Sequence, residues 1–277
     1  MMRKRLPVDR TTRSGKGWMI GTLVVAMIFA IPGHPTLWAQ QVPPIVGERP
    51  GYGESTLTVP PGFVQVEMGY TFFRQDPLDQ QTIGELLIRF PLTDRIELRL
   101  LGNSYLVQKT NRGNPVEGME DAGVGVKFQL SRSTGSRFDL MHPQTVLIVG
   151  TTIPTGNRAF RAGKPQPSVK FGIEYPLNDR FSVNAFFNGD WSVDGDRYTT
   201  QWSSSFSVGA NLTETLSSFV EVYGIFPMAE GLEQTGFVDG GVTYLFNDNL
   251  AWDVHAGWQV LGEGNGFFIG SGLIARF

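Results

Sequence analysis

Glu85, Arg89, Glu97, Arg99, Asp121, Lys127, Glu174, Asp239, Asp253 and His255 are the side chains of this sequence best placed to do chemistry. They fall at alternating positions within segments of period-two character. Residues two apart on a strand share a face, so these groups collect on the polar face of successive strands. Glu67, Lys170, Asp190, Glu221 and Arg276 fall in the same phase. Two uses are open to them. Charges lining an aqueous lumen select which ions or solutes pass. Charges of opposite sign on neighbouring strands pair and brace the sheet. Glu85, Arg89, Glu97, Arg99, Asp121 and Lys127 come from three successive segments and carry both signs, so they are the expected constriction wall.

Covalent and metal chemistry find less support. His255 is the one histidine in an expected strand. A general base needs a nucleophile within hydrogen-bond reach, and no serine is marked by spacing; Ser203, Ser204, Ser205 and Ser271 read as small wall residues. Cysteine is absent, His142 falls in a turn and His34 in the leader, so no thiol and no histidine metal cluster is expected. Asp194-Gly195-Asp196 offers two acids. Calcium takes about 6 to 8 oxygens, and an Asp-Gly turn accounts for this tripeptide. The expectation is no catalytic residue, no metal and no cofactor.

The elements that position these groups are strands. Twelve period-two segments cover 63–74, 80–91, 94–108, 120–130, 144–154, 166–177, 179–193, 197–212, 214–227, 234–246, 249–261 and 266–277. Strands of soluble proteins run about 5 to 6 residues, and transmembrane strands about 9 to 11. These segments are long enough to cross a bilayer. In the eleventh, Trp252, Val254, Ala256, Trp258 and Val260 oppose Asp253, His255, Gly257 and Gln259. In the fourth, Ala122, Val124, Val126 and Phe128 oppose Asp121, Gly123, Gly125, Lys127 and Gln129. Phe186 interrupts the polar row of the seventh, and the fifth is apolar on both faces, so its phase is open. The last segment sets Phe267, Ile269, Ser271, Leu273, Ala275 and Phe277 on one face and ends on an aromatic, as outer-membrane barrel strands do.

Connections alternate in length. Leu92-Thr93-Asp94-Arg95, Leu177-Asn178-Asp179-Arg180, Leu212-Thr213-Glu214-Thr215 and Phe246-Asn247-Asp248-Asn249 look like one repeated tight turn. The links at 108–118 and 154–165 are longer. Short turns on one side and long loops on the other mark an outer-membrane barrel, with the short turns periplasmic. The link 131–143 is the exception. Arg158, Arg161 and Lys164 place positive charge in the longest outer loop, where contact with lipopolysaccharide competes with plain solvation. The fold expected is therefore all-β: a transmembrane antiparallel up-and-down β-barrel of about 12 strands. It closes on itself because an unpaired sheet edge in hydrocarbon costs several kcal/mol per group.

The first 39 residues read as a secretory signal. Arg3, Lys4, Arg5, Arg10, Arg13 and Lys16 precede an apolar stretch from Met19 to Ile31, and Leu37-Trp38-Ala39 forms a cleavage site before Gln40. No Arg-Arg pair is present, which favours the Sec route over twin-Arg export. The full chain has 23 basic and 26 acidic residues. Removing 1–39 takes away six basic residues and Asp9, leaving 17 against 25, a net charge of -8. Such a charge argues against nucleic acid as a partner. Residues 40–61 contain Pro43, Pro44, Pro50, Pro60 and Pro61 and read as an extended periplasmic lead-in, with no plug apparent; 62–277 make the barrel.

Several stretches resemble the outer-membrane family named for the meta-pathway of phenol degradation. They are Arg49-Pro50-Gly51, Val59-Pro60-Pro61-Gly62 running into Gln65-Val66-Glu67-Met68-Gly69-Tyr70, and Asp121-Ala122-Gly123-Val124-Gly125-Val126-Lys127. Val238-Asp239-Gly240-Gly241-Val242-Thr243-Tyr244 and Asn249, Asp253 and Gly257 follow. The likeness covers roughly 49–277 and rests on Gly/aromatic patterns. It implies an outer-membrane barrel of transporter type and uptake of small compounds, aromatic or hydrophobic ones among them; it carries over no catalytic residue. The expected function is an outer-membrane channel or transporter for a small solute in a Gram-negative-type bacterium. Its expected partners are outer-membrane lipid, lipopolysaccharide and the barrel-assembly machinery. A lipase- or esterase-like enzyme using His255, or a purely structural barrel, is the alternative.

Overall fold

The computed structural model describes residues 42–277, except 112, 134–138, 196 and 230. The leader 1–39, with His34, lies outside the described residues, as does Asp196. Fourteen strand segments form one antiparallel sheet: β1 (Gln65–Gln75), β2 (Leu78–Pro91), β3 (Ile96–Leu101), β4 (Tyr105–Thr110), β5 (Val116–Met119), β6 (Ala122–Ser131), β7 (Gln144–Ile153), β8 (Pro167–Pro176), β9 (Phe181–Asp194), β10 (Arg197–Asn211), β11 (Leu216–Pro227), β12 (Thr235–Asn247), β13 (Leu250–Leu261) and β14 (Phe267–Arg276). β1 pairs with both β2 and β14, which closes the ring. β3 and β4 both pair with β2, and β5 and β6 follow them along the wall. Each couple is one wall strand with a break, so the barrel has twelve strands, as the periodicity requires.

The breaks have local causes. Between Gly84, opposite Gly69, and Leu87, opposite Glu67, the two residues Glu85 and Leu86 of β2 face the single Met68 of β1, so β2 carries one extra residue. Gly84 has φ +104° and Glu85 φ +37°, the backbone of a bulge that bends a wall strand. Gly102 ends β3 where a Cβ would meet the Leu86 side chain at 2.8 Å.

Three of the four expected tight turns share one mechanism, while the fourth differs: the register slips between Leu245 and Asn247, and Asn247 Oδ1 accepts from the Asn249 N–H. Leu92, Leu177 and Leu212 each donate their N–H to the carbonyl four residues on. The next side chain then caps the returning strand. Thr93 Oγ1 accepts from Arg95 and Ile96, Asn178 Oδ1 from Arg180 and Phe181, and Thr213 Oγ1 from Thr215 and Leu216. The exceptional link 131–143 is pinned at its base by Ser131 Oγ donating to the Pro143 carbonyl at 2.6 Å. Within it His142 Nδ1 lies 2.6 Å from Asp139 Oδ2, and this hydrogen bond holds the Asp139 carboxyl below its ordinary value.

The faces sort as expected. Phe187, Trp202, Phe206, Val222, Val238, Trp252, Trp258, Ile269 and Leu273 lie exposed on the outer wall, while Asp253, Lys127 and Glu97 are fully buried inside. β7 takes the phase that its sequence left open: Val146 and Ile148 point inward and pack with Phe186. Phe186 breaks the polar row because its ring lies flat over Gly172, where a Cβ would sit 2.3 Å away. An outer face of this kind predicts a lipid-facing cost. Val222→Arg, near the middle of β11, is expected to destabilise the folded barrel in a bilayer by about 2–4 kcal/mol. Urea titration in liposomes measures it, and a change below about 0.5 kcal/mol, ordinary for a solvated surface, contradicts the lipid contact.

Candidate functional site

Residues 42–61 do not lie outside the wall as a periplasmic lead-in. They are extended, but they enter the barrel, turn at Pro50–Gly53 and return. Ile45 N donates to the Asp248 carbonyl, and Arg276 Nη2 to the Pro43 carbonyl, at the tight-turn end. Thr58 Oγ1 comes back to the Asp94 carbonyl at the same end. The inserted segment is thus a loop pushed in from the tight-turn end, and the lumen contains a plug that its sequence did not announce.

A chain without helix or strand leaves its backbone polar groups to find other partners. Here the wall side chains supply them. Glu67 accepts from the N–H of Glu48 and of Arg49, Glu221 from those of Tyr52 (2.6 Å) and Gly53 (2.8 Å), and Glu97 from that of Val59 (2.9 Å). Arg89 donates to the carbonyls of Val46 and Leu57, Gln129 to that of Thr56, and Asn184 to that of Glu54. Glycines at 51 and 53 let the apex lie flush on the wall: a Cβ at either would come within about 3 Å of the Glu221 carboxylate.

The expected constriction charges form the socket of this segment. Arg89 is 1% exposed. Its guanidinium bonds Glu97 through Nε (2.8 Å) and Nη2 (3.0 Å), Glu67 through Nη1 (3.2 Å), and Glu48 of the segment at 2.8 Å. Lys127 Nζ reaches Glu48 at 2.5 Å; Arg99 Nη1 reaches Glu54 at 2.6 Å, and Lys170 Nζ reaches Glu54 at 2.6 Å. Arg89 and Arg99 sit directly opposite each other on β2 and β3, an unfavourable placement of like charges. Within the network the wall gives four cations, Arg89, Arg99, Lys127 and Lys170, against Glu67 and Glu97. Glu48 and Glu54 of the segment bring it to balance. Charges buried this deeply must be matched, so the segment is part of the electrostatics of the wall.

The other expected residues are placed as follows. Glu174 accepts from Thr56 Oγ1 at 2.5 Å. Glu85 pairs with Arg49, which also meets Asp253 at 3.3 Å. Asp121 leaves the constriction: it sits at the break between β5 and β6 and accepts the N–H groups of Gly156 and Ala162, fastening the longest outer loop. His255 Nδ1 stands 3.8 Å from Asp253 Oδ1, beyond hydrogen-bond length, with its ring against Phe268. Ser271 Oγ is engaged by Trp252 Nε1 and the Asp253 carbonyl. Asp239 lies on the far side, with Oδ1 buried and no hydrogen-bond partner.

Space remains on either side of the segment. A cavity of about 880 Å³ opens at the tight-turn end, lined by Pro43, Ile45, Asn211, Ser217, Thr243 and Leu245 among others. A second, of about 300 Å³, lies beyond the apex toward the loop end, between Pro50–Tyr52 and Phe73, Tyr223, Asp239, His255 and Phe268. An aromatic column runs beside it: Tyr52 stacks on Tyr223 at 4.2 Å and 4°, and Tyr223 on Phe237 at 5.1 Å and 15°. Sequence reasoning missed Glu48, Arg49, Tyr52 and Glu54. Their signal was a run of charge and aromatic residues with interposed glycines, inside what read as a proline-rich linker.

A closed twelve-stranded ring with an apolar outer wall and a charged interior is an outer-membrane β-barrel of the Gram-negative type. The chain belongs to the family described as "Putative MetA-pathway of phenol degradation", whose model matches residues 47–277. No curated protein matches it. Among solved structures it is similar to the COG4313 outer membrane channel from Pseudomonas putida F1, with 14% identity over 83% of this chain and 99% of that one and a TM-score of 0.62. It is also similar to the NanC porin, with 7% identity over 75% and 98% and a TM-score of 0.53. At these identities the likeness is one of fold.

Proposed function

We propose that this barrel is an outer-membrane channel for small solutes, closed at rest by the segment 43–59. The observation that carries the reading is the way the segment is held. Apart from the backbone bond of Ile45 to the Asp248 carbonyl, its polar contacts are side-chain hydrogen bonds and ion pairs to the lumen wall rather than strand pairing, so it can leave without opening the barrel. Cavities on both sides give a solute somewhere to wait. The family description, with its reference to phenol degradation, supports small aromatic compounds among the solutes. The two similar structures, a channel and a porin, agree with this class. Residues 1–39 serve as a Sec signal, so the outer-membrane form begins at Gln40, which N-terminal sequencing checks. Lipopolysaccharide and the assembly machinery are the partners such a barrel meets on its way.

The enzyme alternative draws no support from His255, whose neighbours are Asp253, Phe268 and Gly270. The channel reading is tested by liposome swelling with neutral solutes of graded size. Purified protein that migrates faster unboiled than boiled should swell liposomes little as it stands, and after removal of residues 43–58 should admit small solutes at a rate above protein-free liposomes and reject larger ones. Swelling equal to that of empty liposomes, both in the intact protein and after the segment is removed, overturns it.

A further inference from the structure

We propose that Tyr52 occupies a binding site for a small hydroxylated aromatic compound, and that such a compound opens the channel by taking its place. The inference rests on the channel reading and gives it a ligand and a trigger. The tyrosine side chain is p-cresol tethered to a backbone. Its surroundings here are those that a free phenol would need. One ring face lies parallel on Tyr223, which lies in turn on Phe237; aromatic pairs in this geometry gain beyond their buried area. The hydroxyl donates to Ser203 Oγ at 2.8 Å, and the same oxygen is held by Asn188 Nδ2 at 3.1 Å. Ser203 and Asn188 are buried wall residues of β10 and β9, so the acceptor is fixed before any ring arrives.

The remainder of the apex has little hold of its own. Gly51 and Gly53 flank Tyr52 without side chains, and the two backbone bonds to Glu221 are its other anchors. The ring is therefore the apex's grip on the far wall. The cavity of about 300 Å³ beside it touches both Tyr52 and Tyr223, which gives a free ring an approach from the loop end. That cavity also presents Asp239, whose unpartnered Oδ1 can accept a second donor from a diol. A buried acceptor without a partner is costly and is relieved when a ligand supplies one.

Competition between a free and a tethered ring follows simple arithmetic. A short tether holds its group at an effective concentration in the millimolar range. A free phenol must exceed that to displace Tyr52, and loses the handicap when Tyr52 is removed. Equilibrium dialysis of p-cresol against the purified, detergent-solubilised barrel should therefore give an affinity about tenfold or more tighter for Tyr52→Ala than for the wild type. Toluene, which lacks the hydroxyl, and 4-methylcyclohexanol, which lacks the ring, should bind the Tyr52→Ala barrel more weakly than p-cresol does. Adding Ser203→Ala should remove the preference for p-cresol over toluene. A Tyr52→Ala barrel that binds p-cresol no tighter than the wild type, or that binds all three compounds equally well, overturns the proposal. If Tyr52→Ala loses heat-modifiable migration, the wild type decides: p-cresol should speed cleavage by glutamyl endopeptidase within 43–59, and toluene should not. An equal or absent effect overturns it. Dialysis needs no flux, so binding without solute passage counts against the channel reading alone. Flux without p-cresol binding counts against this proposal alone.

Discussion

Excision of residues 43–58, joining Val42 to Val59, is expected to turn a closed barrel into a steadily conducting one. Planar-bilayer conductance should rise by about tenfold or more, since a twelve-stranded lumen lies between the side-chain-filled eight-stranded barrel and the open porin. The direction follows from what occupies the lumen now. The segment stands between a cavity of about 880 Å³ and one of about 300 Å³, and its exit joins them. The barrel should survive the excision. The ring is closed by β1 on β2 and β14, and the Val64 and Phe277 backbones exchange both hydrogen bonds beyond the segment. Retained heat-modifiable migration is the check on folding. A folded deletion variant that conducts no better than the intact protein sinks the plug.

The same contacts say how a milder lesion behaves. Glu48 and Glu54 each face two or more cations of the wall. Neutralising both as Gln keeps the shape but leaves Arg89, Arg99, Lys127 and Lys170 with two carboxylates. The expected result is brief openings rather than a steady current, seen as flickering in single-channel records. This variant separates loosened anchoring from bulk removal.

The wall was legible in the sequence because a strand between lipid and water writes its two solvents at alternate positions. Trp252, Val254 and Trp258 against Asp253, His255 and Gly257 needed no partner to be read. β7 was not legible, because both faces of 144–154 are apolar. Its phase is set from outside, by Phe186 of β9 reaching over Gly172 of β8 to pack on Val146 and Ile148. The inserted segment was invisible for a different reason. It obeys neither the period of a strand nor that of a helix, and five prolines within 43–61 look the same in a periplasmic tether and in a plug. What the lumen charges pair with could not be found from strand neighbours, since Lys127 meets Glu48 and Lys170 meets Glu54 across more than seventy residues of chain. Asp121 shows the converse error. It keeps the alternation of β6, but the strand breaks before it, and its carboxylate turns to the loop at Gly156 and Ala162.

Arg89→Ala should produce the largest loss of stability of any single lumen substitution. The guanidinium serves three carboxylates, Glu48, Glu67 and Glu97, and two carbonyls, Val46 and Leu57, with 1% of its side chain exposed. Removing one partner of a buried ion pair costs about 3–5 kcal/mol because the remaining charge stays buried. Here three acids lose their shared cation, and Lys127 alone remains within 2.5 Å of Glu48. The five contacts are one unit, so their individual costs do not add. Urea unfolding in liposomes, followed by tryptophan fluorescence, should place the loss at or above that range. Arg89→Lys should recover only part of it, since an ammonium cannot span Glu97 by two parallel bonds and reach Glu67 as well. Lys170→Ala sets the lower bound: its side chain is 31% exposed and holds Glu54 alone, so its loss should stay near 1 kcal/mol. The segment should also become accessible to glutamyl endopeptidase in Arg89→Ala while remaining protected in Lys170→Ala. Equal stability and equal protection in the two variants would mean that Arg89 is a lumen charge like any other, and that something else keeps the segment in place.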